Sequence, residues 1–204
     1  MALRNKLGIT DSRELADTEE RISKTRAAEM FDSGRLDELE AGSFAALAEI
    51  HRTLFGDIYD FAGELRNENI AKGSFRFASA LYLADAVEHI EKMPQTTFDE
   101  IVDKYAEMNV AHPFREGNGR AMRIWLDCML KASLGLAVDW SRVDREDYLF
   151  AMERSPIRST ELKLLLKTAL TDRINDRDMF YKGTDHSYSY EGCDTYKTEE
   201  LRRR

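Results

Sequence analysis

A chain of 204 residues can bury one hydrophobic core but leaves little for a second, so one domain with at most a regulatory appendage is expected. The net charge of −8 argues against a nucleic-acid partner. The sequence has no apolar stretch long enough to span a membrane and turns charged close to its N-terminus, which disfavours a membrane span and export and indicates a cytoplasmic protein.

Apolar residues recur at spacings of three and four along most of the chain, which predicts a mainly α-helical protein. Asp17 or Thr18 is the expected N-cap of a first helix that runs to about Asp32. Ser43 is the expected cap of the second helix, because an apolar periodic stretch follows it directly. A third helix is predicted over residues 78–93, where a proline follows.

A capping box formed by Thr97 and Glu100 predicts the start of a fourth helix, which delivers the chain to His112. The fifth helix is predicted to begin within the glycine-asparagine-glycine turn at residues 117–119 and to end at Gly135. Two further helices are predicted near residues 144–154 and 159–174.

Residues 65–79, between the second and third helices, do not fit helical spacing. Ile70, Phe75 and Phe77 lie around a turn at residues 72–74 that contains a glycine. This pattern predicts a short β-hairpin.

The segment HPFREGNGRAMR, residues 112–123, concentrates groups that suit an anion. Its glycine-asparagine-glycine turn precedes a helical pattern, so unpaired N–H groups at the positive end of a helix dipole are expected there. Glycine lets the backbone approach an anion closely, and asparagine tolerates the left-handed conformation that such a turn often needs. Arg120 and Arg123 lie one helical turn apart and lean back toward the same turn. The pattern therefore favours binding of a polyphosphate.

Two neighbours of this turn bring further chemistry. Glu116 lies at its mouth, and one carboxylate with phosphate oxygens and water is a usual coordination shell of Mg²⁺. His112 is placed to remove a proton from an incoming hydroxyl group. The remaining histidines, His51, His89 and His186, do not have the spacing of a zinc site, and the chain has no Walker loop.

The same segment matches the signature HxFx[DE]GNGRxxR at every specified position, and the sequence therefore resembles the Fic family. The resemblance implies an all-α Fic fold over roughly residues 10–175, a helical domain with a short β-hairpin flap over the site. Family enzymes usually transfer AMP from ATP to a hydroxyl group of a target protein. The resemblance thus implies a nucleotidyltransferase with ATP as its substrate, Mg²⁺ as its metal and a protein as its partner.

Carried over to this sequence, the resemblance makes His112 the general base for a Ser, Thr or Tyr hydroxyl group of the target. It makes Glu116 the Mg²⁺ ligand. The residues that it implies for binding the nucleotide phosphates are Gly117, Asn118, Gly119, Arg120 and Arg123.

The hairpin at residues 65–79 corresponds to the family flap, which aligns a target segment by main-chain pairing. Lys72 and Gly73 at its tip are further expected contacts of the nucleotide. Asn109, one helical turn before His112, is another. A solvated lysine and a helix-surface asparagine are the alternatives for these positions.

Near the C-terminus, Ser187, Glu191 and Gly192 resemble the [ST]xxxE[GN] inhibitory motif that one class of Fic proteins carries on a C-terminal helix. Helical spacing places Ser187 and Glu191 on one face. The resemblance implies that Glu191 pairs with Arg123 and competes with the γ-phosphate, so that the resting enzyme is autoinhibited.

The expected organisation is a catalytic domain at residues 1–175 and an inhibitory helix with its tail at residues 176–204. Three alternative functions stay open: removal of AMP from a target with the help of Glu191, transfer of a phosphoryl group or another nucleotide, and ATP sensing without turnover. The sequence also leaves open whether the protein forms a homo-oligomer.

Overall fold

The computed structural model describes residues 2–73 and 75–202, apart from the side chains of Lys72 and Phe75. This part of the chain is mainly helical, which confirms the predicted all-α class. Its α-helices are α1 (Ser12–Asp32), α2 (Phe44–Phe55), α3 (Leu83–Glu91), α4 (Phe98–Ala111), α5 (Asn118–Leu134), α6 (Arg145–Arg154), α7 (Thr160–Thr168), α8 (Arg177–Ser189) and α9 (Thr198–Arg202). Short 3-10 helices lie at Arg35–Glu38, Ala80–Tyr82 and Trp140–Arg142.

Two antiparallel strand pairs complete the described part. Strand β1 (Ala71–Lys72) pairs with β2 (Phe75–Arg76), with Ala71 opposite Arg76. Strand β3 (Ala137–Val138) pairs with β4 (Leu170–Thr171). The first pair is the predicted hairpin between the second and third helices, called the flap below (residues 65–79).

The predicted helix caps are confirmed where the sequence carries a strong signal. Ser43 caps α2 by accepting a hydrogen bond from the N–H of Ala46. Thr97 and Glu100 form the complete capping box of α4. At the C-terminal end of α5, Gly135 adopts a left-handed conformation (φ 66°) and ends the helix at the expected residue.

The start of α1 was predicted too late. The helix begins at Ser12 because Asp11 caps it, with a carboxylate that accepts from the N–H groups of Arg13 and Glu14. Asp17, one of the two expected caps, lies inside the helix. The first turn is mostly polar, so the apolar pattern alone could not place it.

Two other predicted boundaries are also wrong. The helix expected over residues 78–93 starts as the 3-10 helix Ala80–Tyr82 and becomes α3 only at Leu83. The helix expected over residues 159–174 ends at Thr168, because the chain then pairs with β3 as a strand. Pairing between segments so far apart in sequence leaves no local signal.

The core lies between α1, α2, α4 and α5, which pack against one another. Its largest fully buried side chain, Trp125 of α5, donates from Nε1 to the carbonyl oxygen of Ser43, at 3.0 Å. The same core holds Phe114, in the loop between α4 and α5. None of the helices in the described residues has the length and apolar content needed to cross a bilayer.

The C-terminal tail, defined here as residues 193–202, folds back onto α1 and α8. The buried Lys24 of α1 pairs with Glu20 (2.9 Å) and with Asp185 of α8 (3.2 Å). Two tail N–H groups donate to the Glu20 carboxylate. Thr198, which is fully buried, donates from its N–H and its hydroxyl group to Asp185. The tail is thus fastened to both helices through buried polar groups.

Candidate active site

The loop that joins α4 to α5 is held in shape by its own side chains. The buried Asn118 accepts from the N–H of Phe114 (2.8 Å) and donates to the carbonyl oxygen of the same residue (2.7 Å). The left-handed conformation falls on Gly117 (φ 75°), whereas Asn118 is already the first residue of α5. The expectation that asparagine supplies this conformation is therefore corrected. The Asn118 side chain is used within the loop, and a contact between this residue and a nucleotide stays a prediction.

Gly117 is needed both for its conformation and for space. A Cβ atom at this position would lie 2.5 Å from the ring of Phe55. The N–H groups of the first turn of α5 have no acceptor within the helix, as at any helix start. Such a helix start can bind an anion, so the loop and the first residues of α5 (residues 113–119, called the anion loop below) have the geometry of an anion site.

Gly117→Ala is expected to lower the free energy of unfolding by roughly 2–4 kcal/mol, from left-handed strain and from the Phe55 clash together. Gly34→Ala is the matched control, since Gly34 has a similar φ of 74° and no neighbouring atom within 4 Å of the place that a methyl carbon would take. That variant is expected to lose about 1 kcal/mol, because only the strain applies. Urea denaturation measures both losses. Equal losses would contradict the close packing on Phe55.

His112 follows α4 directly and is the C-cap of that helix. It has a φ of 48° and is the one non-glycine residue with positive φ in the described part of the chain. Its Nδ1–H donates to the carbonyl oxygen of Asn109 (3.2 Å), and its ring stacks on Phe77 of the flap at a centroid distance of 3.7 Å. In the neutral ring, Nε2 then carries the lone pair that a general base needs.

The nucleotide contacts expected of Asn109, Gly73 and Lys72 lie outside the signature segment, and the structure does not test them. Asn109 contacts His112 through its main chain, and a nucleotide contact of its side chain stays a prediction. Gly73 lies exposed in the turn of the flap, with a φ of 60°. The Lys72 side chain lies outside the described part, so its predicted role is untested.

His51 of α2 packs against the anion loop and bonds its main chain, a role that the sequence did not predict. The N–H of Gly63 donates to its Nδ1 (2.9 Å), so Nε2 carries the proton and donates to the carbonyl oxygen of Glu116 (2.8 Å). Its ring also stacks on Phe114, at a centroid distance of 3.9 Å. Burial lowers the pKa of His51 to about 4, so the ring is neutral at pH 7. Its position on the buried face of α2 was the available signal.

Arg120 is buried among three carboxylates. Its guanidinium lies 2.5 Å from Glu19, 3.2 Å from Glu116 and 2.8 Å from Glu191. Burial alone would lower the pKa of Arg120, but the charges of Glu191 and Glu19 raise it well above its usual value. The guanidinium is therefore firmly charged, and it already has three anionic partners.

Arg123 is equally buried and is held by the C-terminal motif. Its Nε donates to the hydroxyl oxygen of Ser187 (2.5 Å), and its Nη2 donates to the carbonyl oxygen of Ser187 (2.8 Å). Nη2 also donates to the carboxylate of Glu191, at 3.1 Å. The rings of Tyr190 and Tyr148 lie 5.2 Å and 5.8 Å from the guanidinium carbon. The structure thus brings Ser187 and Glu191 onto Arg123.

Glu191 lies in the turn after α8, which ends at Ser189. Only Ser187 lies on the helix, so the expectation that Ser187 and Glu191 share a helical face is wrong. Gly192 has a φ of 82° and redirects the chain at this point. One Glu191 oxygen lies 2.7 Å from the position that a Cβ atom of Gly119 would take. The carboxylate thus lies over the start of α5, where an anionic ligand would bind.

Glu116 lies at the rim, with a side chain that is 48% exposed. Its Oε1 accepts from the N–H of Gly117, at 2.8 Å. Residues 2–73 and 75–202 hold no cluster of three acidic, histidine or cysteine side chains that would bind a metal alone. One rim carboxylate fits a Mg²⁺ ion that arrives with phosphate ligands, since Mg²⁺ commonly binds one carboxylate together with substrate phosphates.

A mostly apolar cavity of about 410 Å³ lies between α1, α5 and α8. Arg120 and Arg123 form part of its wall, but His112 and residues 116–119 do not line it. The cavity is therefore distinct from the mouth of the anion loop, over which Glu191 lies.

Comparison with known proteins gives consistent matches. The profile of the Fic/DOC family matches residues 42–130. The probable protein adenylyltransferase y4lH of Sinorhizobium fredii is 33% identical over 75% of this chain and 82% of its own length. The protein adenylyltransferase VbhT of Bartonella schoenbuchensis is 30% identical over 82% of this chain, which spans only 37% of that relative.

Solved structures agree in fold. The BepC protein of Bartonella tribocorum, with bound AMPPNP, superposes with a TM-score of 0.68 at 21% identity, over 84% of this chain and 93% of its own. An N-terminal Fic domain from Bartonella quintana, with bound ADP, has a TM-score of 0.69 at 20% identity, over 83% of this chain and 91% of its own. At these identities the likeness concerns the fold.

Proposed function

Because this chain belongs to the Fic/DOC family, we propose that it is a protein adenylyltransferase, which transfers AMP from ATP to a Ser, Thr or Tyr hydroxyl group of a target protein. The observation that carries the proposal is the placement of His112 directly before the anion loop, with the Nδ1–H of its ring donated to Asn109. Binding a phosphate needs no base, whereas activating a hydroxyl group does. This difference favours catalysis over ATP sensing.

In the proposed reaction, the phosphates lie at the start of α5. The main-chain N–H groups of Asn118 and Gly119 donate to them, and the guanidinium groups of Arg120 and Arg123 take the β/γ end in place of Glu191. His112 Nε2 accepts the proton of the target hydroxyl group as its oxygen attacks the α-phosphorus. Pyrophosphate leaves on the opposite side. Mg²⁺ bound by Glu116 and the phosphates would neutralise charge on the departing pyrophosphate.

We also propose that the enzyme is autoinhibited by Glu191. Its carboxylate contacts Arg120 at 2.8 Å and Arg123 at 3.1 Å, the two cations that the phosphates need. The Glu191 side chain is 23% exposed, so the contact is shielded from water and salt. ATP must therefore displace a bound carboxylate or bind with its γ-phosphate elsewhere, which would turn the α-phosphorus away from the hydroxyl group.

The test uses Glu191→Gly protein, Mg²⁺, cell lysate and ATP labelled at either the α- or the γ-phosphate. AMP transfer is expected to label a protein from α-labelled ATP alone. Mass spectrometry of the labelled peptide should show an added AMP group. Label from γ-labelled ATP would instead indicate phosphoryl transfer. Binding of ATP without any labelled protein would favour the sensing function.

Removal of AMP is a second candidate, which the position of Glu191 favours. Its carboxylate lies next to the anion loop, where it could orient a water molecule toward an AMP ester. Incubating an AMP-modified target with the parent protein and with Glu191→Gln protein distinguishes the activities. Faster loss of AMP with the parent supports removal, whereas equal rates exclude a role of the carboxylate in it.

A further inference from the structure

Arg66, at the start of the flap, makes an unusual set of contacts. Only 6% of this residue is exposed, and its four described side-chain hydrogen bonds all go to main-chain carbonyl oxygens. The acceptors are His112 (2.7 Å), Ala111 (2.9 Å), Glu68 (2.7 Å) and Ala78 (2.6 Å).

These acceptors belong to three segments of the chain. Ala111 and His112 form the end of α4, where carbonyl groups lack partners within the helix and a cation is favourable. Glu68 lies in the outgoing arm of the flap, and Ala78 lies in its returning arm. One planar guanidinium therefore connects both arms of the flap to the segment that contains the base.

Neighbouring contacts tighten the same junction. The N–H of Arg66 donates to the carbonyl oxygen of Pro113 (2.9 Å), and the N–H of Ala78 donates to that of Val110 (3.0 Å). Phe77, beside Ala78, stacks on the His112 ring. The flap thus contacts His112 itself through the Phe77 ring and the Arg66 side chain, and it contacts the residues around His112 through its main chain.

We propose that Arg66 is a positioning residue, which fixes the distance and angle between the flap and His112; this inference rests on the proposed function. A flap that aligns a target hydroxyl group is effective only if the base keeps one position relative to it. His112 is in a left-handed conformation that costs a histidine energy. The guanidinium bonds the carbonyl group of His112 and so helps to hold the residue in that conformation.

The test compares Arg66→Ala and Arg66→Lys, each combined with Glu191→Gly, with the exposed Arg142→Ala as the matched control. For Arg66→Ala we expect kcat for target modification to fall about 100-fold while the affinity for ATP changes less than about threefold, because the anion loop is left intact. Lysine should restore little, since a single ammonium group cannot bond four carbonyl oxygens in one plane. Arg142→Ala should retain the rate of its parent.

Chemical rescue separates positioning from general stability. Added guanidinium ion, at concentrations far below denaturation, is expected to rebind among the four carbonyl oxygens of Arg66→Ala and to raise its kcat at least tenfold. Sodium chloride at the same ionic strength should not. An unchanged kcat in Arg66→Ala, or a loss that guanidinium does not restore, would overturn the inference.

A measurement that does not depend on catalysis distinguishes failure of the Arg66 inference from failure of the proposed AMP transfer. Hydrogen exchange of peptides from residues 66–80 and 108–116 should become faster together in Arg66→Ala and slower together when guanidinium is added. Absence of AMP transfer in Glu191→Gly protein would refute the proposed function and leave this measurement to decide the coupling. Faster exchange in neither segment, or in only one, would refute the coupling.

Discussion

Glycine in place of Glu191 is expected to raise the rate of AMP transfer about 100-fold, or roughly 2.7 kcal/mol, within the usual range of coupling between sites. The variant frees the guanidinium groups of Arg120 and Arg123 for phosphate. Arg120 keeps its contacts with Glu19 and Glu116, so the site itself should persist. Initial rates with α-labelled ATP and saturating Mg²⁺ measure the change.

Graded variants test whether the charge of Glu191 is responsible. Glu191→Gln keeps the size of the side chain and removes its charge, so we expect activation of about tenfold. Ser187→Ala removes an acceptor of Arg123 and should activate about threefold. Ser189→Ala is the matched control, because its hydroxyl group donates to the carbonyl oxygen of His186 within the helix. Equal rates in the parent and the glycine variant would contradict autoinhibition by Glu191.

His112→Asn, in the Glu191→Gly background, is expected to lower AMP transfer about 1,000-fold, in the range of a general base. Asparagine is chosen because it tolerates the left-handed conformation better than alanine. Calorimetry should give an ATP affinity within about threefold of the parent, since phosphates bind to α5 and its arginines. The exposed His89→Asn is the matched control.

The combination of rate and affinity decides how His112 acts. A low rate with normal ATP binding supports a base that acts on the target hydroxyl group. Loss of both would mean that His112 mainly maintains the loop. A rate within about tenfold of the parent would mean that another group accepts the proton.

Local sequence signals predicted much of the architecture. The capping box at Thr97 and the glycine at Gly135 are short-range features, and both were placed correctly. The strand pair β3–β4 was missed because each strand has only two residues and its partner is distant. The pair is stabilised by contacts with the rest of the fold, and the apolar pattern of the sequence does not reveal such contacts.

The same division applies to the site. Residues 112–123 form one contiguous segment, so the sequence could indicate their chemistry together. Arg66, Glu19 and His51 reach this segment from the flap, α1 and α2, and their roles depend on packing. Arg66 lies in a polar stretch, where nothing in the local pattern separates a buried arginine from a solvated one.

The buried attachment of the C-terminal tail has a practical consequence. A protein shortened to end at Gly192 would retain Ser187, Glu191 and His112, yet would lack the segment that bonds both Lys24 of α1 and Asp185 of α8. Basal rates from such trimmed versions would overestimate the resting activity of the intact chain. Affinity tags joined to the last residues carry the same risk. Under the proposed autoinhibition, Lys24 on the first helix would contribute to it from a distance, because it bonds both the tail and α8.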